Sequence, residues 1–231
     1  MQLKKNNALN LLLAGLALSV PMMAGAADRF QGPYAGVYLG YVNGQDNGTE
    51  YNNGTPDSWT LETSPSGMAY GLLAGYNMRF GNGFVFGIES DYEGRSADDE
   101  SLFKTGGVPD SRYPVKTELK DAGSIRAKLG YVVNGGQTLV YGTTGYATAK
   151  IKRTYADLTI PASSSDTSRQ DGWTVGAGVE HFFGSTLSMR AEYRYADYGK
   201  ENVPAAVYGP AYTERQEYDE HTLRIGVMYH F

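Results

Sequence analysis

From Leu223 to the end of the chain, apolar and other residues alternate without a break. Leu223, Ile225, Val227, Tyr229 and Phe231 fall on one side, and Arg224, Gly226, Met228 and His230 on the other. A period of two is the spacing of a strand whose faces meet different surroundings. The alternation recurs in seven earlier segments, 32–42, 70–78, 84–92, 123–133, 138–150, 173–183 and 187–198. In 123–133, Ile125, Ala127, Leu129, Tyr131 and Val133 oppose Ser124, Arg126, Lys128 and Gly130. The pattern predicts eight strands, with no helix after the first 26 residues.

The connections predict how the strands are arranged. Residues 81–83 (GNG), 134–136 (NGG) and 184–186 (GST) read as tight hairpin turns, where Gly and Asn accept positive φ. The remaining connections, roughly 43–68, 94–118, 151–171 and 199–220, are long and rich in Asn, Asp, Ser, Gly and Pro. Short turns at one end and long loops at the other are the signature of a bacterial outer-membrane barrel. A compact soluble domain rarely carries four such loops. Residues 1–26 read as an export signal: Lys4 and Lys5, the apolar run ALNLLLAGLALSV, then the small residues Ala24 and Ala26, with cleavage after Ala26 and Ala27 the next best site. An uncleaved anchor is the other reading of that segment. The expected organisation is a cleaved signal peptide over 1–26 and a barrel domain over 27–231.

A soluble barrel also alternates, with its apolar face inward. Three features favour a membrane barrel. The polar face holds Gly and large charges, which suit a lumen better than a soluble core. Phe84, Tyr92, Tyr131, Trp173, Phe183, Tyr229 and Phe231 sit near strand ends, as interfacial aromatic girdles do. An export signal and a final Phe complete the set. The chain has no Cys, which excludes disulfides and thiolate metal sites. Its net charge of −5 gives no basic footprint for nucleic acid.

The stretches GPYAGVYLGY, GLLAGYNMRFGNGFVFGIESDYE, IRAKLGYVVNGGQTLVYGTTGYATAK, WTVGAGVEHFFGSTLSMRAEYRYADYG and HTLRIGVMYHF together span the expected barrel. They resemble the eight-stranded outer-membrane β-barrel proteins of Gram-negative bacteria, of the opacity-protein and outer-membrane immunogenic protein type. The resemblance implies an all-β fold: a closed eight-stranded antiparallel up-and-down transmembrane barrel with short periplasmic turns and four long extracellular loops. It implies location in the cell outer membrane and a structural, surface-exposed role with interaction loops. It also implies that the terminal strand, Ile225, Val227, Tyr229 and Phe231, is an assembly signal. The plainer reading is a strand that pairs with the first. Partners implied are outer-membrane lipids and lipopolysaccharide, the barrel-assembly machinery and periplasmic chaperones, with host or phage ligands at the loops and a monomeric state.

The inward list comprises Glu89, Asp91, Arg126, Lys128, Glu180, Arg190, Glu192, Arg194 and Arg224. A charged pore lining would make the protein a porin-like channel. An eight-stranded barrel is narrow enough to be filled by its own side chains, so a salt-bridged plug is the favoured reading. Antiparallel pairing of equal index sums would set Glu89 opposite Lys128 and Asp91 opposite Arg126. Some barrels of this size modify lipids, but His181, His221 and His230 are the only histidines, and no Ser is fixed beside them in sequence. The acidic stretches ADDE (97–100) and EYDE (217–220) lack calcium-loop spacing and read as solvated loops. No catalytic, metal or cofactor residues are assigned.

Overall fold

The computed structural model describes residues 29–160, 162–204 and 211–231. The expected export signal, with Lys4, Lys5, Ala24 and Ala26, lies outside the described residues. Among the described residues nine strands form one antiparallel sheet: β1 (Gly32–Asn52), β2 (Thr55–Thr63), β3 (Ser66–Arg79), β4 (Phe84–Thr105), β5 (Val108–Val133), β6 (Thr138–Asp157), β7 (Ala162–Phe182), β8 (Leu187–Pro204) and β9 (Tyr212–His230). The order is β2-β1-β3-β4-β5-β6-β7-β8-β9, with β1 also pairing β9 from Tyr34↔His230 to Asn52↔Tyr212.

This corrects the expectation of a closed eight-stranded up-and-down barrel with four long loops: the described residues form nine strands, and the outer stretch 162–172 of β7 has no partner on β8. The additional strand, β2, doubles back on the far half of β1 through Asn53 and Gly54, both at positive φ. It then touches β4 at Trp59↔Thr105 and Thr60↔Lys104, bypassing β3. The ring of pairings is therefore uneven. Near the short turns β1 lies between β3 and β9, and farther out β2 is inserted between β1 and β4. The expected loops are largely strand. The segment 94–118 is the far ends of β4 and β5, joined at Gly106 and Gly107, and 151–171 is mostly β6 and β7.

A change of face explains how one strand can run through both regions. Near the short turns the apolar residues point outward: Val37 and Leu39 of β1, Leu129 of β5 and Ile225 of β9 are all more than half exposed. These belong to a continuous apolar belt of a size that soluble monomers do not expose. Aromatic residues mark its edges, with Tyr41, Tyr70, Tyr92, Tyr146 and Trp173 on one side and Phe80, Phe84, Tyr131, Phe183 and Phe231 on the other. Beyond Tyr41 the pattern inverts. Val42, Leu119, Ile151, Tyr155 and Val203 point inward and are buried, and the outward positions are Asn43, Lys120, Lys152 and their like. Bulges accompany the inversion between Gly94 and Ala97, Leu119 and Asp121, and Asp197 and Lys200. The inward parity shifts on β5, between Leu119 and Ala122, and on β8, between Tyr198 and Val203, and is kept on β4 through Glu93, Arg95 and Ala97.

The interior is filled along its length. Phe30, Val85, Val132, Leu139, Tyr141 and Phe182 close the short-turn end. Tyr34 and Tyr38 lie across Gly75 and Gly71, where an added Cβ would come within 2.5 and 2.6 Å of the rings. Those glycines are required by the close ring approach rather than by a turn. A charged layer follows, then an alanine-rich layer around Val42, Leu119 and Ile151. At the long-hairpin end Leu61, Phe103, Val115, Tyr155 and Val203 form an outer plug, with Trp59 and Tyr113 against it.

Candidate functional site: a buried charge network

Period two carries Glu89, Asp91, Glu93 and Arg95 of β4 onto the inner face, one above the other. Arg126 of β5 reaches Glu89 at 2.6 Å, Asp91 at 3.1 Å and Glu192 of β8 at 2.6 Å. Lys128 lies 3.3 Å from Glu89, and Arg190 lies 2.9 Å from both Glu89 and Glu192. Arg224 of β9 pairs with Glu93 at 2.6 Å and Asp91 at 3.4 Å. Arg194 lies between Asp91, Glu93 and Glu220 at 3.3–3.5 Å. Arg95 grips Glu220 with two nitrogens, each at 2.6 Å.

Tyrosines complete the layer. Tyr34 donates to Glu89 at 2.8 Å, Tyr38 to Glu93 at 2.9 Å and Tyr141 to Glu192 at 3.0 Å. The same rings lie under cations: Lys128 is 4.3 Å from the Tyr34 centroid and Arg224 is 4.6 Å from that of Tyr38. A buried charge costs several kcal/mol unless it is paired and its remaining donors and acceptors are met. The layer meets the pairing half of that condition by sharing: most carboxylates have two or three cations, and most cations two or three carboxylates, while Nε of Arg126, Arg194 and Arg224 and Nη1 of Arg190 have no hydrogen-bond partner among the described residues.

The structure brings eight of the nine sequence-nominated charges into this layer; Glu180 stands apart. The expected register is corrected. Glu89 pairs with Arg126, Gly87 with Lys128 and Asp91 with Ser124, two residues from the equal-sum guess. The ion pairs Glu89–Lys128 and Asp91–Arg126 still form, as diagonals. Sequence reasoning missed Glu93, Arg95 and Glu220. The signal for the first two was the same alternation, carried beyond Tyr92. EYDE is not a solvated loop: Tyr218 and Glu220 are buried, and Tyr218 donates to Glu220 at 2.9 Å. In ADDE, Ala97 is buried, and Asp98 and Glu100 are exposed on β4.

Glu180, Ser188 and His230 meet at the short-turn end, and the order of their contacts argues against nucleophilic chemistry. Ser188 donates to Glu180 at 2.7 Å, and His230 Nε2 faces both Glu180, at 2.7 Å, and Ser188, at 3.1 Å. A Ser–His–acid relay needs the acid on one ring nitrogen and the nucleophile on the other. Here one nitrogen faces both, and Nδ1 has no hydrogen-bond partner among the described residues. Phe30, Phe182 and Tyr34 surround the imidazole. His181 contacts Thr138 at 2.9 Å, and His221 contacts the Tyr193 hydroxyl at 2.6 Å on the outer surface. In the terminal strand, Ile225, Val227, Tyr229 and Phe231 all lie on the exposed belt, and the backbone N–H of Phe231 donates to Pro33.

An apolar belt between two aromatic edges, wrapped around a neutralised charged interior, defines an integral outer-membrane β-barrel protein. The family model of the outer membrane protein beta-barrel domain matches residues 11–231, and the chain belongs to that family. It is 30% identical over 235 residues to the 31 kDa outer-membrane immunogenic protein of Brucella melitensis, covering 97% of this chain and 95% of the relative. It is 34% identical over 197 residues to a 22 kDa outer membrane protein of Rhizobium leguminosarum, covering 85% of this chain and 77% of the relative. Among solved structures, the outer membrane protein OprG from Pseudomonas aeruginosa superposes with a TM-score of 0.58 at 14% identity, over 87% of this chain and 97% of that one, a likeness of fold alone. The protein is therefore an outer-membrane β-barrel protein of this family. It shares the biogenesis route common to such proteins.

Proposed function

We propose that the protein is a sealed display scaffold: a non-conducting barrel that anchors in the outer membrane and holds its strand-built hairpins at the cell surface. The observation that carries this reading is the charge network. Arg126, Arg190, Arg194 and Arg224 span the interior from β5, β8 and β9 to Glu89, Asp91 and Glu93 of β4, leaving the cross-section filled. Apolar layers on either side reinforce the seal. In this reading the nominated inner charges are a structural plug. The long hairpins face outward toward lipopolysaccharide and host or phage ligands, and the short turns face the periplasm.

Residues 1–26 are removed after Ala26 on export, leaving 27–231 as the barrel domain. The face made by Ile225, Val227, Tyr229 and Phe231 presents the chain to the assembly machinery, with periplasmic chaperones holding it before insertion. Planar-bilayer recording tests the central claim: purified protein should add no unitary conductance. Stable, reproducible steps would restore the porin-like reading.

A further inference from the structure

Inside the outer plug, well beyond the apolar belt, two carboxylates oppose each other without a cation between them. Glu50 of β1 is the direct cross-strand partner of Glu214 of β9, and both face inward, 5% and 0% exposed. Like charges directly opposite on one face repel. The guanidinium whose charge acts on Glu214, that of Arg153 of β6, is committed elsewhere, binding Asp46 of β1 through two nitrogens at 2.8 Å each. The other groups facing the pair are Tyr155 of β6 and Gln216 of β9, which lie beside Glu214, and Asp57 of β2, whose charge acts on Glu50. Thr117 of β5 and Thr63 of β2 hydrogen-bond each other beside Asp46, and Glu201 of β8 is the cross-strand partner of Gln216. Acids outnumber cations in this chamber, and its walls are the apolar residues Leu61, Phe103, Val115 and Val203.

We propose that Glu50 and Glu214 form a proton-operated clasp: while they carry protons the outer ends of β1 and β9 stay zipped, and when both ionise the outer plug loosens and the hairpin ends part. The chemistry is repulsion and desolvation. Two ionised carboxylates buried side by side repel and are both poorly solvated, and parting the strands lets water reach them. Burial, with the Asp57 charge, pushes the Glu50 carboxyl up to about 7. Burial also raises Glu214 to about 7, with Asp46 adding to the rise and Tyr155, Gln216 and Arg153 opposing it. A carboxyl raised on folding favours the closed form fully below its unfolded value near 4.5. The advantage declines as pH rises from there and is spent once pH passes about 7. The clasp is independent of the central seal, because the charge network belongs to the belt region below it.

Hydrogen exchange on the detergent-folded mature chain at pH 5.5 and 8.0, corrected for intrinsic exchange, tests the clasp. Amides of 46–52 and 212–217 should open about tenfold or more often at pH 8.0, with those of 223–229 protected at both. The double variant Glu50→Gln, Glu214→Gln should flatten the difference. If that variant does not fold, Glu50→Gln alone should reduce the pH effect by about half on a logarithmic scale. An unchanged pH profile in the variants, no pH effect in the wild type, or equal opening of the belt would each overturn the proposal.

Discussion

Arg126 and Leu129 sit three positions apart on β5 and answer to opposite solvents. Arg126 is buried and shared by three carboxylates, and Leu129 is 61% exposed on the belt. Arg126→Gln leaves Glu89, Asp91 and Glu192 short of positive charge, and breaking a buried pair costs roughly 3–5 kcal/mol. Leu129→Arg sets a cation in hydrocarbon, at about 2–4 kcal/mol near mid-membrane. Both should lower the urea midpoint of the detergent-folded protein, and a neutral result for either would misassign its face. Phe231 makes a different demand. Its side chain is exposed to lipid and packs edge-on against Tyr229 at 5.0 Å, so its loss costs about 1.5–3 kcal/mol at most. Phe231→Asp should therefore refold in detergent nearly as wild type yet reach the outer membrane of cells in much lower yield. Equal losses in the two assays would reduce Phe231 to a packing residue.

At the scale of the element, β2 is the most dispensable part of the sheet. It is held by the outer half of β1 and by two pairings to β4, and the β1–β3 and β1–β9 ladders do not depend on it. Gly54 closes its turn at φ 78, a conformation a β-branched residue adopts only with strain. Gly54→Val should increase exchange of 55–63 while the heat-modifiable band of the folded barrel persists on gels; loss of that band would make β2 integral to the wall. The same strand shows where sequence reading failed. All eight anticipated segments fall on β1 and β3–β9, two of them running one residue past the strand end at Phe183 and Phe231, because the belt imposes an apolar residue at every second position. Reading stopped near Tyr92, Gly123 and Tyr198, close to the bulges at Gly94–Ala97, Leu119–Asp121 and Asp197–Lys200. An inserted residue breaks a period-two count, and just beyond it the apolar residues change face. Val115, Thr117 and Leu119 against Lys116, Glu118 and Lys120 is a clear strand when scored for an inward core and a polar loop when scored for an outward one. Glu93 and Arg95 are in phase with Glu89 and Asp91, and only the end of the outward apolar series at Tyr92 hides them. The identities of the charges in the network were legible from parity, but their partners were not, because pairing depends on a register that no residue announces.

For the whole molecule, β1 pairs with β9 from Tyr34 to Asn52, but the β7–β8 ladder ends at Trp173↔Asp197 and leaves the outer stretch 162–172 of β7 as an edge, on which Asp166, Arg169 and Asp171 are the charges that discourage pairing with a second chain. The purified protein should sediment as a monomer in detergent; a concentration-dependent dimer would point to an interface on the belt. Protease on intact cells should cut at hairpin tips, near Gly106 and Thr159, and spare the paired strands, in contrast to the broad sensitivity of flexible loops. The inversion of faces has a further consequence. On β1 the change falls between Tyr41, which looks outward, and Val42, which looks inward. That boundary acts as a ruler for the bilayer, since the barrel sits where the last outward apolar residue meets the headgroups. Moving it by one outward position, as with Asn43→Leu beside a matching His221→Leu on β9, lengthens the greasy span by roughly two residues, about 6–7 Å along the strand. Such a variant keeps its fold and should insert best into thicker membranes, so the thickness a barrel of this design prefers is written as a position in its sequence.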